Sequence, residues 1–529
     1  MSKPLIFSGS LQATLLDLRP AFLSGVLIGT SYIPFPPWAS LFCFIPLWIY
    51  WSNQTSLKKV LLSGWVTSFV FTLIGFNWVT YTLHEFAHLD WWVSLVGMML
   101  FGILAHLFVP AAGAIWFMLR KLGHLEGWRS RSIMALLTIL LQEWFPTLFD
   151  WNFGYSWLWA GMPVSQLAEW IGYSGLSALT VASNLVVWKI YRDWQRPVGR
   201  LLTVFFFLGF LLANGMGEWV LQHQPLPDAV LRVLMVQGNI GNSEKMAAEL
   251  GSGYQDGILD AYLRLSKQGL AQEKGQPVDF ILWPETAFPD FLGQDLRPSP
   301  RRNRLEEFIR DQRTALVTGA YGFDQASGRL TNSLFLLDHQ GKLVTPHYSK
   351  TILLAFGEYL PGEDWFPLIR DWLPPIGEFK RGEGPRHLIE WNGFRMGVQI
   401  CYESLFPDFS RQWANLGAEF FVNVTNDSWY GNWSEPRQHL TMTLGRAVEF
   451  RRPVLRATNT GISTVGLSSG VKLDESPLHE TWSKVFEVPY RKNPSPTFYQ
   501  SHPMLVDQLI WGVLVLALMG PFSSRIFRS

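Results

Sequence analysis

Gly397-Val398-Gln399-Ile400-Cys401-Tyr402-Glu403 ends an apolar, strand-like run on a thiol, with an acid two residues further on. A buried thiol is most often an inert small hydrophobe. It attacks a carbonyl carbon as the thiolate, which a neighbouring cation or base has to favour. Two other segments end a strand-like run on groups suited to that task. In Trp283-Pro284-Glu285-Thr286-Ala287 a carboxylate follows the apolar run 280–283, a costly position unless the group is hydrogen-bonded or paired. In His347-Tyr348-Ser349-Lys350-Thr351 an ammonium precedes the apolar residues 352–356, suited to pairing a carboxylate and stabilising an oxyanion. Singly, each has a blander reading: a solvated strand end for Glu285, a snorkelling surface lysine for Lys350.

Around these segments the chain from 225 to 503 alternates two patterns. Runs rich in β-branched and aromatic residues fall at 231–237, 280–283, 315–320, 333–338, 396–401, 420–424 and 454–457. Helical patterns intervene at 255–271, 302–311 and 436–450, the last opening on Pro436, where a first turn tolerates proline. The alternation predicts a layered α/β domain with a central sheet. No internal repeat or low-complexity tract interrupts it. With only two cysteines, Cys43 and Cys401, a disulfide framework is excluded and Cys401 is a free thiol.

The rest of the chain is of another kind. Of 529 residues 48% are hydrophobic and 16% charged, a balance that suits a membrane protein with an added soluble part. Apolar runs at 21–32, 37–51, 60–83, 91–119, 133–149, 168–191, 201–221 and 505–522 predict a helical bundle of about eight transmembrane helices. The first two are short and interrupted by proline. Many of the 26 tryptophans stand near the ends of these runs, where an amphipathic ring favours the bilayer interface. Residues 1–224 form a seven-helix membrane region, 225–503 a soluble catalytic domain, and 504–529 a last helix and tail. No signal-peptide cleavage pattern follows the first run, which is read as a retained span. Lys58 and Lys59, then Arg120, Lys121, Arg129 and Arg131, then Lys189, Arg192, Arg196 and Arg200, and finally Arg525 and Arg528 fall on alternate connections. By the positive-inside rule both termini are cytoplasmic and the soluble domain is on the outer face. The net charge of +1 gives no reason to expect a nucleic-acid partner. Residues 365–372 are unusually apolar for a loop and read as a segment that dips into the membrane interface, a mobile lip over the site.

The order Trp-Pro-Glu, then Lys, then Cys-Tyr-Glu resembles the Glu-Lys-Cys set of the nitrilase superfamily. Further phrases narrow the likeness: Val236-Gln237-Gly238-Asn239, Gly357-Glu358-Tyr359, Asn426-Asp427-Ser428-Trp429-Tyr430-Gly431, Gln438-His439-Leu440 and Arg456-Ala457-Thr458-Asn459-Thr460-Gly461. With spans on both sides, the chain resembles the apolipoprotein N-acyltransferase family along essentially its whole length. The resemblance implies an extracytoplasmic nitrilase-like αββα sandwich in a bacterial inner membrane. It implies acyl transfer from a phospholipid, typically phosphatidylethanolamine, to the amino terminus of a diacylglyceryl apolipoprotein, without cofactor or metal, by a chain read as a monomer. It assigns Cys401 as nucleophile, Glu285 as general base and Lys350 as oxyanion-stabilising cation. Glu358, Tyr402 and Glu403 match supporting positions, and the Tyr402 N–H would help hold the oxyanion.

Two departures concern substrate contacts. Lys245-Met246 stands where the family often has Trp, and Gly154-Tyr155-Ser156-Trp157 replaces a more usual Phe-Pro-Trp. His84, Glu85 and His88 read as a polar loop rather than a metal site. The alternative enzyme is a membrane-tethered amidase that passes the acyl group to water. A non-enzymatic lipid-binding scaffold and a transporter are further classes; retention of all three reactive residues disfavours the first, and the lack of repeated broken helices the second.

Overall fold

The strand β1 (Ala229–Gln237) buries both of its faces, as its near-continuous apolar run requires. In the computed structural model, Leu234 and Val236 pack with Ile258, Leu259, Tyr262 and Leu265 of the helix Gln255–Gln272, while the equally buried Val233 and Met235 alternate to the other side. The structure describes residues 14–519 except 15, 86–88, 243, 246–252, 274–275, 294–295, 297, 325, 356 and 361–378. The apolar segment 365–372 lies outside the described residues.

The described residues fall into two compact units. One, chiefly Gln224–Ser501, holds two sheets. The first adds β2 (Phe280–Leu282), β3 (Ala315–Asp324), β4 (Arg329–Leu337) and β5 (Leu343–Ser349) to β1. The second contains β6 (Ile389–Trp391), β7 (Phe394–Ile400), β8 (Phe420–Thr425), β9 (Val454–Thr458) and β10 (Thr464–Gly466). The last strand, β11 (Trp482–Tyr490), returns to the first sheet, which runs β11-β1-β2-β3-β4-β5 beside a second ordered β10-β9-β8-β7-β6. In each sheet three central strands are parallel, β1-β2-β3 and β7-β8-β9, with antiparallel strands at the flanks.

The sheets meet face to face, with Phe280 of β2 5.6 Å from Phe394 of β7 between ring centroids. Helix Gln255–Gln272 covers β1 and β11, helix Pro407–Leu416 packs on β7, and helix Glu435–Phe450 packs on β9. The alternation predicts a layered α/β domain with a central sheet; the structure has two sheets in place of one, the αββα sandwich that the resemblance implied. Helix Pro407–Leu416 was not among the expected helices, although its proline in the first turn and Gly417 in the left-handed conformation after its last turn are ordinary start and stop signals.

The other unit is helical. Among the described residues four stretches are long and apolar enough to cross a membrane: Leu57–Gly75, Trp91–Leu122, Pro163–Asp193 and Pro197–Gln222. The other expected spans correspond to shorter or less apolar helices. Arg19–Gly29 has 11 residues and Leu505–Met519 has 15, while 37–51 yields only the eight-residue Ile45–Ser52 after a proline-rich stretch. Gly127–Trp144 opens on the polar sequence Trp-Arg-Ser-Arg-Ser. The basic connections share one end of this unit. The Arg131 guanidinium lies 4.6 Å from the Trp128 ring and 4.8 Å from Trp188, and Lys189 Nζ lies 4.6 Å from Trp128. Arg120 donates to the Gln54 carbonyl at 3.4 Å, and Arg129 donates to the Ala517 and Leu518 carbonyls at 2.7 Å each, at the end of the last helix. His84 stacks on Trp91 and bonds the Leu89 carbonyl; His88 lies outside the described residues.

Candidate active site

Each of the three reactive side chains stands just past the end of a strand. Glu285 follows β2, and its turn is fixed by β3: Gly319 N–H donates to the Pro284 carbonyl at 3.1 Å, and Phe288 N–H donates to Gly319 O at 3.1 Å. The approach is so close that a Cβ on Gly319 would lie 2.5 Å from Thr286 N and 2.7 Å from Glu285 Cα. Lys350 follows β5, anchored through its own N–H to the Asn332 carbonyl at 2.8 Å. Cys401 follows β7 and opens a short 3-10 helix, Cys401–Leu405, with φ +52°. A non-glycine residue in the left-handed region is uncommon and needs surroundings that hold it there.

The ammonium of Lys350, 2% exposed, sits between two carboxylates. Its Nζ is 3.2 Å from Glu285 Oε1 and 2.9 Å from Glu358 Oε2. Burial opposes its charge, but Glu285, Glu358 and the nearby Cys401 outweigh burial and hold it well above the ordinary lysine range. Asn332 of β4 ties the carboxylates together, its Nδ2 donating to Glu285 Oε1 at 2.7 Å and to Glu358 Oε1 at 2.9 Å. Pairing and donors of this kind are what keep buried charges tolerable, since an ion stripped of both costs several kcal/mol.

Cys401 is 5% exposed and lies within the field of both Glu285 and Lys350. Burial and then Glu285 push its thiol well above the usual value; Lys350 and a hydrogen bond with Thr425 offset only part of that. At rest Cys401 is therefore favoured as the neutral thiol rather than as a thiolate–ammonium pair with Lys350. Attack requires that its proton leave as the new bond forms, and the Glu285 carboxyl group, whose field reaches the thiol, is placed to take it.

Glu403 is fully buried and accepts four hydrogen bonds. Oε1 takes the Tyr348 hydroxyl at 2.6 Å and the Thr351 and Ile352 N–H groups at 2.6 and 3.1 Å; Oε2 takes Ile400 N–H at 2.8 Å. Burial pushes this carboxyl up to about 7 against the pull of those donors. It ties the segment after Lys350 to the strand before Cys401. Tyr402 is half-buried, its ring edge-on to Phe406 at 5.0 Å.

Behind Cys401 lies a polar cluster. His439 Nδ1 is 3.1 Å from Asp427 Oδ1 and 3.6 Å from Glu435 Oε1, and its Nε2 is 3.3 Å from the Cys401 carbonyl. Arg456 donates to Asp427 Oδ2 at 2.7 Å. Burial would raise Asp427, but Arg456 and His439 outweigh it and hold the acid well below the carboxylate range. Burial and Arg456 lower His439; burial and Asp427 raise Glu435. Asp427, Glu435 and His439 set one ligand atom each within 4.8 Å of one another, a spacing that fits a metal, but Arg456 already supplies the positive charge there. Lys245 is buried, its Nζ 3.3 Å from the Glu285 carbonyl and 3.2 Å from Thr286 Oγ1. Met246 lies outside the described residues.

The structure thus gathers Glu285, Lys350, Cys401, Glu358 and Glu403. Sequence reasoning missed Asn332, a neutral residue inside a strand with no local signal. It quoted Asp427, His439 and Arg456 only as phrases. Gln237 and Asn459, also quoted within phrases, serve as scaffolding: Gln237 Oε1 accepts from Thr458, Ser463 and Ser476, and the Asn459 carbonyl accepts from Asn239 N–H.

Comparison with known proteins matches residues 220–486 to the carbon-nitrogen hydrolase family and residues 24–186 to the apolipoprotein N-acyltransferase N-terminal domain. A protein from Bdellovibrio bacteriovorus named apolipoprotein N-acyltransferase is 43% identical, over 96% of this chain and 94% of its own. One of the same name from Geobacter metallireducens is 31% identical over 88% of each chain. Among solved structures, an amidase from Nesterenkonia sp. is 22% identical, covering 53% of this chain and 96% of its own, with a TM-score of 0.36.

Proposed function

The chain belongs to the apolipoprotein N-acyltransferase family, and from that membership we propose that it moves a fatty acyl chain from a phospholipid, typically phosphatidylethanolamine, through a thioester on Cys401 to the amino terminus of diacylglyceryl-cysteine in apolipoproteins. This is the last step of lipoprotein maturation. The observation that carries the reading is the Lys350 ammonium between Glu285 and Glu358, beside a buried neutral thiol.

Glu285 takes the Cys401 proton as sulfur attacks the ester carbonyl of the phospholipid. The tetrahedral oxyanion is stabilised by Lys350 and the Tyr402 N–H. As it collapses, the C–O ester bond breaks and the lysophospholipid leaves with the proton from Glu285. In the second half-reaction Glu285 accepts a proton from the attacking amine, the C–S bond breaks, and sulfur regains a proton. Splitting the transfer in this way implies ping-pong kinetics. Glu358 and Glu403 act as supporting residues, the first pairing Lys350 and the second fixing the backbone on both sides of the site.

Residues 1–224 and 504–529 would anchor the enzyme through about eight spans, with 225–503 as the catalytic domain. The gathering of the basic connections at one end of the helical unit supports cytoplasmic termini and a periplasmic domain in the inner membrane. The enzyme would act as a monomer, without cofactor. The test is mass spectrometry of protein incubated with acyl-labelled phospholipid. A labelled thioester on Cys401 that persists until an apolipoprotein peptide discharges it is expected; a thioester that water discharges at the same rate would favour the amidase reading instead. Cys401→Ser or Cys401→Ala that still acylates would refute the nucleophile.

A further inference from the structure

The carbonyl oxygen of Cys401 is held within a closed ring of hydrogen-bonding side chains drawn from four parts of the fold. Asn423 of β8 donates to it from Nδ2 at 3.3 Å, Ser404 Oγ donates at 3.1 Å, and His439 Nε2 faces it at 3.3 Å. His439 is joined through Nδ1 to Asp427 at 3.1 Å; Asp427 accepts from Arg456 Nη2 at 2.7 Å; Arg456 Nη1 donates to Asn423 Oδ1 at 2.5 Å, which closes the circuit. Asn423 and Arg456 are also register partners of β8 and β9, so the strand ladder fixes one side of the ring. No member of the circuit is more than 5% exposed.

A trans peptide points its carbonyl and its N–H in opposite directions. The carbonyl gripped by the ring belongs to the Cys401–Tyr402 peptide, so the ring also sets the direction of the Tyr402 N–H, in the first turn of the 3-10 helix. Donors placed on a peptide oxygen polarise the peptide and strengthen its N–H as a donor. The left-handed Cys401 gives the ring something to hold against, because an unsupported residue would relax from that conformation.

We propose that Asn423 and Ser404, held by the circuit of Arg456, Asp427 and His439, position and polarise the Cys401–Tyr402 peptide, making its N–H an effective oxyanion donor; this rests on the acyl-transfer reading above. Both are in this view positioning residues that act through the peptide. His439 gives its Nδ1–H to the Asp427 carboxylate and so braces the circuit rather than donating to the carbonyl.

Two reactions of the same thiol separate this role from general support. Thioester formation from phospholipid passes through an oxyanion, whereas alkylation by iodoacetamide does not. Ser404→Ala removes a hydroxyl donor from the carbonyl, and Ser404→Thr restores one. Ser404→Ala is expected to slow thioester formation about 30-fold, with alkylation changed less than about twofold, and Ser404→Thr to recover most of the loss, since one oxyanion donor is worth roughly 100-fold or more. Equal loss of both reactions in Ser404→Ala, or no loss of either, overturns the proposal. Should Ser404→Ala fail to accumulate, Asn423→Asp keeps the acceptor for Arg456 but removes the donor from the same carbonyl, and the same pair of rates decides. A wild-type protein that forms no thioester would end the acyl-transfer reading; a wild-type thioester with unaffected variants ends only the ring.

Discussion

Asn332 donates to both carboxylates that face Lys350, and none of its contacts is visible in the order of the sequence. Replacing it with Leu leaves each buried carboxylate one donor short, at a cost of about 1–3 kcal/mol in stability. Single-turnover thioester formation should fall at least about tenfold as Glu285 loses its orientation, since misplacement near the chemistry is costly; an unchanged rate would leave Asn332 a structural residue only. The second residue-scale expectation concerns the nucleophile. Its folded value lies above the ordinary thiol value of 9.0, so folding favours the neutral form: the stabilisation is fully present below that value and is lost as pH rises beyond it. Ultraviolet absorbance of the thiolate, taken against Cys401→Ser, should therefore stay absent at every pH below about 9. A thiolate signal near neutral pH would mean that Lys350 dominates instead. Glu285, Lys350 and Cys401 were legible because each is a chemically active residue ending a strand-like run, beside apolar residues. Asn332 and the ring around the Cys401 carbonyl were not, because an Asn inside a strand reads as ordinary and its partners are set by topology.

Among elements, the contact of β3 with the turn after β2 bears most directly on the site. Gly319→Ala would drive a methyl group into Thr286 N and Glu285 Cα, backbone atoms that cannot swing aside. The expected result is about 1–3 kcal/mol of lost stability and loss of most acyl transfer, with the Cys401 thiol still alkylated at the wild-type extent. Wild-type acylation by Gly319→Ala would show that the turn carrying Glu285 can shift freely. The longer strands were readable from β-branched and aromatic runs, and the helices Gln255–Gln272, Pro300–Gln312 and Glu435–Phe450 from periodicity. The three-residue β6 and β10 are too short to show a period, and β11 carries charged and proline residues that dilute its alternation. In the helical unit hydropathy located the long helices, while proline and polar openings leave the remaining apolar runs as shorter or less apolar helices.

For the whole molecule, sidedness is the main expectation. Single cysteines introduced at Lys58 and at Glu383, each in a Cys43→Ser, Cys401→Ser background, should react oppositely with a membrane-impermeant maleimide on cells whose outer membrane has been opened. Glu383→Cys labels in intact spheroplasts and Lys58→Cys only after lysis. The reverse pattern would invert the orientation drawn from the basic connections. The catalytic unit carries one further consequence at this scale. β11 pairs with β1 along all nine residues, Ala229 opposite Tyr490 and Gln237 opposite Trp482, so the chain enters and leaves this unit side by side. A module with adjoining ends can sit between two helices of a membrane protein as an insertion, without stretching either. The same arrangement delays its completion: during synthesis the outer edge of β1 stays open until β11 arrives, and a long-lived bare edge invites wrong partners. Folding of this unit therefore favours something that shields that edge in the interval, or a rest of the sheet that folds fast enough to outrun misassembly.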